Sequence, residues 1–257
     1  MERTRARAGQ VANTKTQLHD VVPVSMQIAC AQCVLSNLCF PAGLPAEFQS
    51  LFPLVDEKRI RLARGEFLFR AGDPHIGIHA IKAGFLKTCM PLPDGQSKIV
   101  GFHAMGDALG LDGLGTSAHT TDAVALNGCE VCVIPLDRFD KLLEHPTESV
   151  HVRQLLAREL SRIQTHAATI GTLTAKQRVA TFLFDMSGRW ASRGYAKNEF
   201  VLFMSRIEIG NYLGLTFETV SRTLSYFQSK NLITVRGKRV LILDMLALQA
   251  QLAHPNH

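Results

Sequence analysis

Residues 205–224 read Ser205-Arg-Ile-Glu-Ile-Gly-Asn-Tyr-Leu-Gly-Leu-Thr-Phe-Glu-Thr-Val-Ser-Arg-Thr-Leu224. Ser205 followed three residues later by Glu208 is a capping box, in which each side chain satisfies the other's backbone N–H. Ile209, Tyr212 and Leu213 then fall on one helical face. Gly214 can take a positive φ and end the helix. Thr216 is placed to cap a second helix, whose Val220, Leu224 and Phe227 point inward. Helix, glycine turn and capped helix predict a helix-turn-helix, a unit whose second helix enters the DNA major groove. On that second helix Glu218, Ser221 and Arg222 stand at i, i+3 and i+4, on one face opposite the core residues. Arg can donate to guanine O6 and N7 together, and Glu can accept from cytosine N4. Each such pair discriminates bases by about 1–3 kcal/mol. A solvated Glu–Arg pair on a helix face is worth only about 0.3–0.5 kcal/mol.

Charge supports this expectation. From Lys176 onward there are eleven Lys or Arg against five Asp or Glu, so this third carries the whole formal charge of +6. A compact basic region attracts polyanions. Arg206, Lys230, Lys238 and Arg239 are the expected phosphate contacts, which position without specifying.

Working outward, Leu232–Val235 and Val240–Leu243 flank Arg236–Gly237–Lys238 as a hairpin, and Phe200–Met204 reads as a short strand. Thr174 caps a helix expected over Ala175–Arg193. From about Ser149, Leu156, Leu160, Ile163, Ala167 and Ile170 recur at spacings of four, three, four and three. That a/d seam suits a twofold helix pair, hence a homodimer. From Arg59 to Pro135, short alternating apolar runs are separated by turn signals such as Pro93-Asp94-Gly95. Such spacing predicts a β-sandwich or barrel-like roll.

The expected class is therefore α+β. A disordered tail (1–20) precedes a cysteine-loop and β-roll domain (21–148) and a dimerisation helix (149–173). A winged helix-turn-helix (174–257) completes the chain. A short helix is expected over Ala46–Phe52. No window is long and apolar enough to span a membrane, and no apolar signal segment opens the chain, so a cytoplasmic protein is expected.

Six cysteines stand at 30, 33, 39, 89, 129 and 132. Cys30, Cys33 and Cys39 form C-x2-C-x5-C, which lets one loop wrap three thiolates around a soft metal centre. A four-iron cube needs a fourth ligand from elsewhere, and spacing alone leaves Cys89, Cys129 and Cys132 open. Tetrahedral zinc on the same thiolates is the alternative, and redox-active free thiols are another. An enzyme, a thiol oxidoreductase on Cys129–Cys132, is not expected, because these cysteines lie in strand-like sequence rather than at a helix N-terminus. No nucleophile–base set or phosphate loop occurs elsewhere.

The order of β-roll, long helix and winged helix-turn-helix resembles the CRP/FNR superfamily of bacterial transcription regulators. The run Ile209 to Arg222 is similar to its FNR branch. That resemblance implies base contacts by Glu218, Ser221 and Arg222 to a TTGAT-like half-site repeated as an inverted pair. Phe217 departs from the smaller residue of the branch. The resemblance also implies a [4Fe–4S] cluster on Cys30, Cys33, Cys39 and Cys132, because Val131-Cys132-Val133-Ile134-Pro135 matches the context of the fourth ligand. It implies cluster decay to [2Fe–2S] in oxygen, loosening of the dimer, and activation of anaerobic or microaerobic genes. The hairpin Pro91–Lys98 resembles a surface that contacts RNA polymerase. Ile163 stands near an Asp of the oxygen-labile relatives and predicts tighter dimerisation. A constitutive or redox-responsive DNA-binding regulator, with zinc or free thiols in place of the cluster, is the alternative function. A cyclic nucleotide is not expected: Gly106 to Ala125, the corresponding stretch, contains no Arg to meet a phosphate. His119 in that stretch reads as a surface histidine.

Overall fold

The computed structural model describes residues 59–253 together with Leu35 and Cys39. The expected tail, the helix over 46–52, Cys30 and Cys33 lie outside the described residues.

Eight strands build the roll. They are β1 (Arg59–Leu62), β2 (Phe67–Phe69), β3 (Gly77–Ala83), β4 (Phe85–Pro91), β5 (Ser97–Ala104), β6 (Ala108–Leu109), β7 (Asp122–Ala125) and β8 (Cys129–Pro135). They form two antiparallel sheets, ordered β1-β8-β3-β6 and β2-β7-β4-β5. The Pro93-Asp94-Gly95 turn joins β4 to β5, with Gly95 at φ 80°.

Period-two alternation divides the core. Along β8, Cys129 and Val131 face Ile81 and Leu86 between the sheets, while Cys132 and Ile134 face outward. That outer face is covered by two helices, α1 (Leu136–Glu144) and α2 (Pro146–Thr172). Phe139 and Leu142 of α1 and Val152 of α2 pack there on Ile78, Ala80, Ala108 and Ile134. Helix α1 was not among the expected elements. Pro146 at the first turn of α2, where its missing N–H costs nothing, sets the boundary between the two helices.

The 27 residues of α2 span about 40 Å. Helix α3 (Ala175–Ala191) follows, opened by a capping box between Thr174 and Gln177. Then come β9 (Glu199–Val201), α4 (Arg206–Leu213), α5 (Phe217–Ser229), β10 (Ile233–Arg236), β11 (Arg239–Ile242) and α6 (Met245–Ala253). The last three strands form one sheet, β10-β11-β9.

One apolar cluster runs through this C-terminal unit and on into the roll. Leu183, Leu213, Val220, Phe227 and Val240 share it with Phe85, Ile99 and Phe102 of β4 and β5. Each such side chain removed from water contributes roughly 1.5–3 kcal/mol. Polar contacts pin the same junction. Arg189 donates to Phe102 O at 2.6 Å, and Arg193 donates to Met105 O at 2.6 Å and to Asp107 Oδ1 at 2.9 Å.

Candidate nucleic-acid interface

The helix-turn-helix forms as its caps require. Ser205 Oγ accepts from Glu208 N at 3.2 Å, and Glu208 Oε2 accepts from Ser205 N at 2.6 Å. Gly214 ends α4 at φ 64°, and Thr216 Oγ1 accepts from Thr219 N at 3.2 Å to open α5. Gly210 brings the helices together. A Cβ there would stand 2.6 Å from Leu215 O, so only glycine lets the turn approach α4.

On α5, Val220, Leu224 and Phe227 are buried, and Glu218 and Arg222 are exposed on the other side. Ser221 is half-buried, and its Oγ has no hydrogen-bond partner. Phe217, the first residue of α5, is also exposed. The Glu218 carboxyl is held below its usual range by its own backbone N–H and the Thr216 hydroxyl, so it is ionised and acts as an acceptor. The face thus offers an acceptor at Glu218 and a fork of donors at Arg222, while the Ser221 hydroxyl between them is buried.

The expected phosphate contacts surround it unevenly. Arg206 is half-buried at the start of α4, and Lys230 is exposed at the end of α5. Lys238 is exposed at the tip between β10 and β11, where Gly237 has φ 60°. Arg239 is exposed but pairs with Glu199 at 3.2 Å.

The comparisons with known proteins agree with this arrangement. Residues 59–145 match the model of the cyclic nucleotide-binding domain, and residues 177–251 that of the Crp-like helix-turn-helix domain. The transcriptional regulatory protein btr of Bordetella pertussis is 43% identical over 231 residues, covering 89% of this chain and 95% of that protein. The transcriptional activator protein Anr of Pseudomonas aeruginosa is 40% identical, covering 87% and 92%. The fumarate and nitrate reduction regulatory protein of Salmonella typhimurium is 35% identical, covering 88% and 91%. The structure of FixK2 from Bradyrhizobium japonicum superposes with a TM-score of 0.71 at 27% identity, covering 77% and 98%. The chain belongs to the CRP/FNR family of transcription regulators.

Three further sites of this CRP/FNR protein were singled out by the sequence. The first is the stretch from Gly106 to Ala125, within the residues that match the cyclic nucleotide-binding domain. Asp112 accepts from Thr120 N at 2.8 Å and Thr121 N at 3.0 Å, from both their hydroxyls, and lies 3.4 Å from His119 Nδ1. Burial works against its charge, but these bonds hold its carboxyl far below the usual range. His119 is buried rather than on the surface, which corrects the sequence expectation. It stacks on Phe69 at 3.6 Å and meets His75 edge-on at 5.0 Å. Burial keeps His79, beside them, neutral, with its pKa lowered to about 3. His75, His79, His119 and Phe69 form one buried ring cluster in this part of the roll.

The second site is the cysteines. Cys39 and Cys132 pack against the same apolar cluster between the roll and α1–α2, beside Val152 and Leu155 of α2. Cys89 and Cys129 are buried elsewhere, and burial pushes both thiols up, away from the thiolate that a metal needs. Among the described residues, no three His, Cys, Asp or Glu gather as a metal site.

The third is the seam. Leu156, Leu160 and Ile163 of α2 are 40%, 56% and 54% exposed, and Ala167 is exposed beside them. Ile170, the last of the series, is half-buried and approaches Gly214 of the turn. Sequence reasoning missed the contacts between α4 and the roll altogether. Lys87 Nζ donates to Glu208 at 2.8 Å, and the hairpin Pro91–Lys98 exposes its tip while its β5 side docks on Asn211.

Proposed function

We propose that this protein is an oxygen-responsive transcription regulator, mainly an activator of anaerobic or microaerobic genes. It would bind a TTGAT-like inverted repeat as a homodimer, contact bases through Glu218, Ser221 and Arg222, and engage RNA polymerase. Phosphates would be met by Arg206, Lys230, Lys238 and Arg239. One observation carries the link between sensing and reading. Cys39 and Cys132 pack on the apolar cluster that also seats Val152 and Leu155 at the root of α2.

Cys30, Cys33, Cys39 and Cys132 would hold a [4Fe–4S] cluster. The two described members fit, since both are half-buried on one face of the roll. When bound, such a cluster supplies an oxygen-labile inorganic centre. The rest is done by the chain. Four thiolates held together would tie the segment carrying Cys30, Cys33 and Cys39 to β8, beside α2. Fixing Val152 and Leu155 fixes the start of α2, and so favours pairing of Leu156, Leu160 and Ile163 with a second copy. The ordering must stabilise the dimer more than the monomer, or it switches nothing.

The family frame supports a dimer, since CRP-family regulators are dimeric. The names of the relatives, a transcriptional activator and regulators of fumarate and nitrate reduction, support activation and anaerobic metabolism. The lack of any Arg from Gly106 to Ala125 supports a sensor that takes no cyclic nucleotide. No helix of the described residues is long and apolar enough to cross a membrane.

Iron, zinc and acid-labile sulfide analysis of anaerobically purified protein tests the proposal. Iron and sulfide in equal amounts are expected, retained in Cys129→Ala and lost in Cys132→Ala. Zinc without sulfide would refute the cluster. Sedimentation before and after air exposure tests the switch. The apolar Ile163 predicts residual dimer in air, and full dissociation at micromolar protein would overturn that expectation.

A further inference from the structure

Strand β5 is the edge of its sheet, and an edge strand leaves a row of backbone N–H and C=O groups unpaired. Here one side chain of the DNA-reading unit takes the place of the missing strand. Asn211 Oδ1 accepts from Ile99 N at 2.6 Å, and Asn211 Nδ2 donates to Ser97 O at 2.9 Å. Lys98 Nζ, from the residue between, donates to the Asn211 backbone carbonyl. The next residue of α4 faces a different element. Tyr212 stacks on His166 of α2, with ring centroids 3.9 Å apart and planes 11° apart.

The Asn211 amide does not serve the fold of its own unit. The inner face of α4 is Ile209 and Leu213, and both amide bonds of Asn211 go to β5. Nor does the docking cover the reading face, since Glu218 and Arg222 on α5 stay exposed. Adjacent residues of one short helix thus bind the sensor sheet and the dimer helix, and leave the DNA face open.

We infer that Asn211 is a positioning residue for DNA reading: with Tyr212 it sets the angle at which the recognition helix leaves the roll and α2. In a dimer paired through α2, that angle determines the separation of the two recognition helices. The inference rests on the dimeric, palindrome-reading function proposed above. An inverted repeat is bound in one step only if both readers already stand at the half-site spacing. A reader freed from β5 must give up its added orientational freedom when the second half-site is engaged. That lowers the effective concentration of the second contact and leaves the first alone.

The test uses full-length protein purified anaerobically and fluorescence anisotropy with three DNA probes. One is the inverted repeat, one a single half-site, and one the repeat with one base pair inserted between its halves. Asn211→Ala should bind the repeat about tenfold more weakly and the half-site within about twofold. It should also lose less affinity than the native chain when the extra base pair is present. Lys98→Met alters only the roll side and should move the same ratios in the same direction. An equal loss on repeat and half-site would overturn the inference, by tracing the effect to the reading unit itself. Unchanged or tighter binding of the repeat would overturn it too. If the native chain bound a half-site as tightly as the repeat, the dimeric function would fall, and this inference with it.

Discussion

Lys87 of β4 and Glu208 of α4 meet at 2.8 Å although 121 residues separate them in the chain. Glu208 is also the capping-box partner of Ser205, so one carboxylate closes the first turn of the helix-turn-helix and binds that helix to the β-roll. Burial alone would raise its pKa, but the Lys87 bond and the two Ser205 contacts hold it below the usual carboxylate range. A carboxylate with a depressed pKa stabilises the fold above its ordinary value and loses that effect as pH falls through the folded value. Lys87→Met should therefore cost roughly 1 kcal/mol at pH 7. The difference from the native chain should disappear once Glu208 is protonated, below the usual carboxylate range. Denaturant unfolding at pH 7 and again below the usual carboxylate range checks both points.

His166 gives a second pH dependence, of opposite chemical type. Burial first, then the charges of Lys98 and Arg162, lower its pKa to about 4, so it stacks on Tyr212 as a neutral ring. The unfolded chain binds that proton near 6.5, and the folded chain resists it down to about 4. Stability from this group is complete above pH 6.5 and falls as pH drops from 6.5 toward 4. The slope should lie well under the ~1.4 kcal/mol per pH unit of a fully buried histidine, because the ring is partly open to solvent. His166→Phe keeps the stack and removes the titration. Its thermal midpoint should fall less than that of the native chain between pH 7 and pH 5.

Gly210 is expected to be intolerant. A Cβ at that position meets a backbone carbonyl, Leu215 O, which has no rotamer to escape into. Gly210→Ala should destabilise the C-terminal unit by roughly 1–3 kcal/mol despite alanine's better helix propensity. A stability equal to the native value, by calorimetry, would show that the α4–α5 turn can open without cost.

The recognition face and the wing should separate by readout. Arg222→Ala should cost about 1–3 kcal/mol on the best site and relax preference at one base position. Lys238→Ala, at the hairpin tip, should weaken all sequences alike and lower the salt slope of binding by about 1. Anisotropy titrations across salt, on the best site and on scrambled DNA, distinguish the two. A salt-slope change in Arg222→Ala with unchanged base preference would remove it from the base contacts.

The features read correctly from residues are those whose causes lie within one or two turns of chain. Ser205 and Glu208, Gly214, and Thr216 each act across at most four positions, so the helix-turn-helix follows from local rules. Alternation of apolar residues and turn glycines likewise announces the roll. Helix α1 had a comparable signal, Leu136, Phe139 and Leu142 at spacings of three. It was obscured by the strand-like run directly before it and by Pro146, which separates it from α2.

His119 shows where local rules stop. A histidine among Thr, Ser and Ala reads as a surface residue. Only the return of the loop onto Phe69, with Asp112 gathering Thr120 and Thr121, takes it out of water.

By itself, the sequence determined the class of the protein. Caps, helical period, strand alternation and the basic C-terminal third specify a β-roll, a long helix and a DNA-reading unit, because each property is set by neighbours in the chain. Tertiary structure alone decided how these parts are joined. It brought Cys39 and Cys132 to the root of α2. It placed Asn211 on the open edge of β5 and Lys87 on Glu208. Such contacts satisfy groups left over after each element has formed, and they depend on which surfaces the topology brings together, so no periodicity records them.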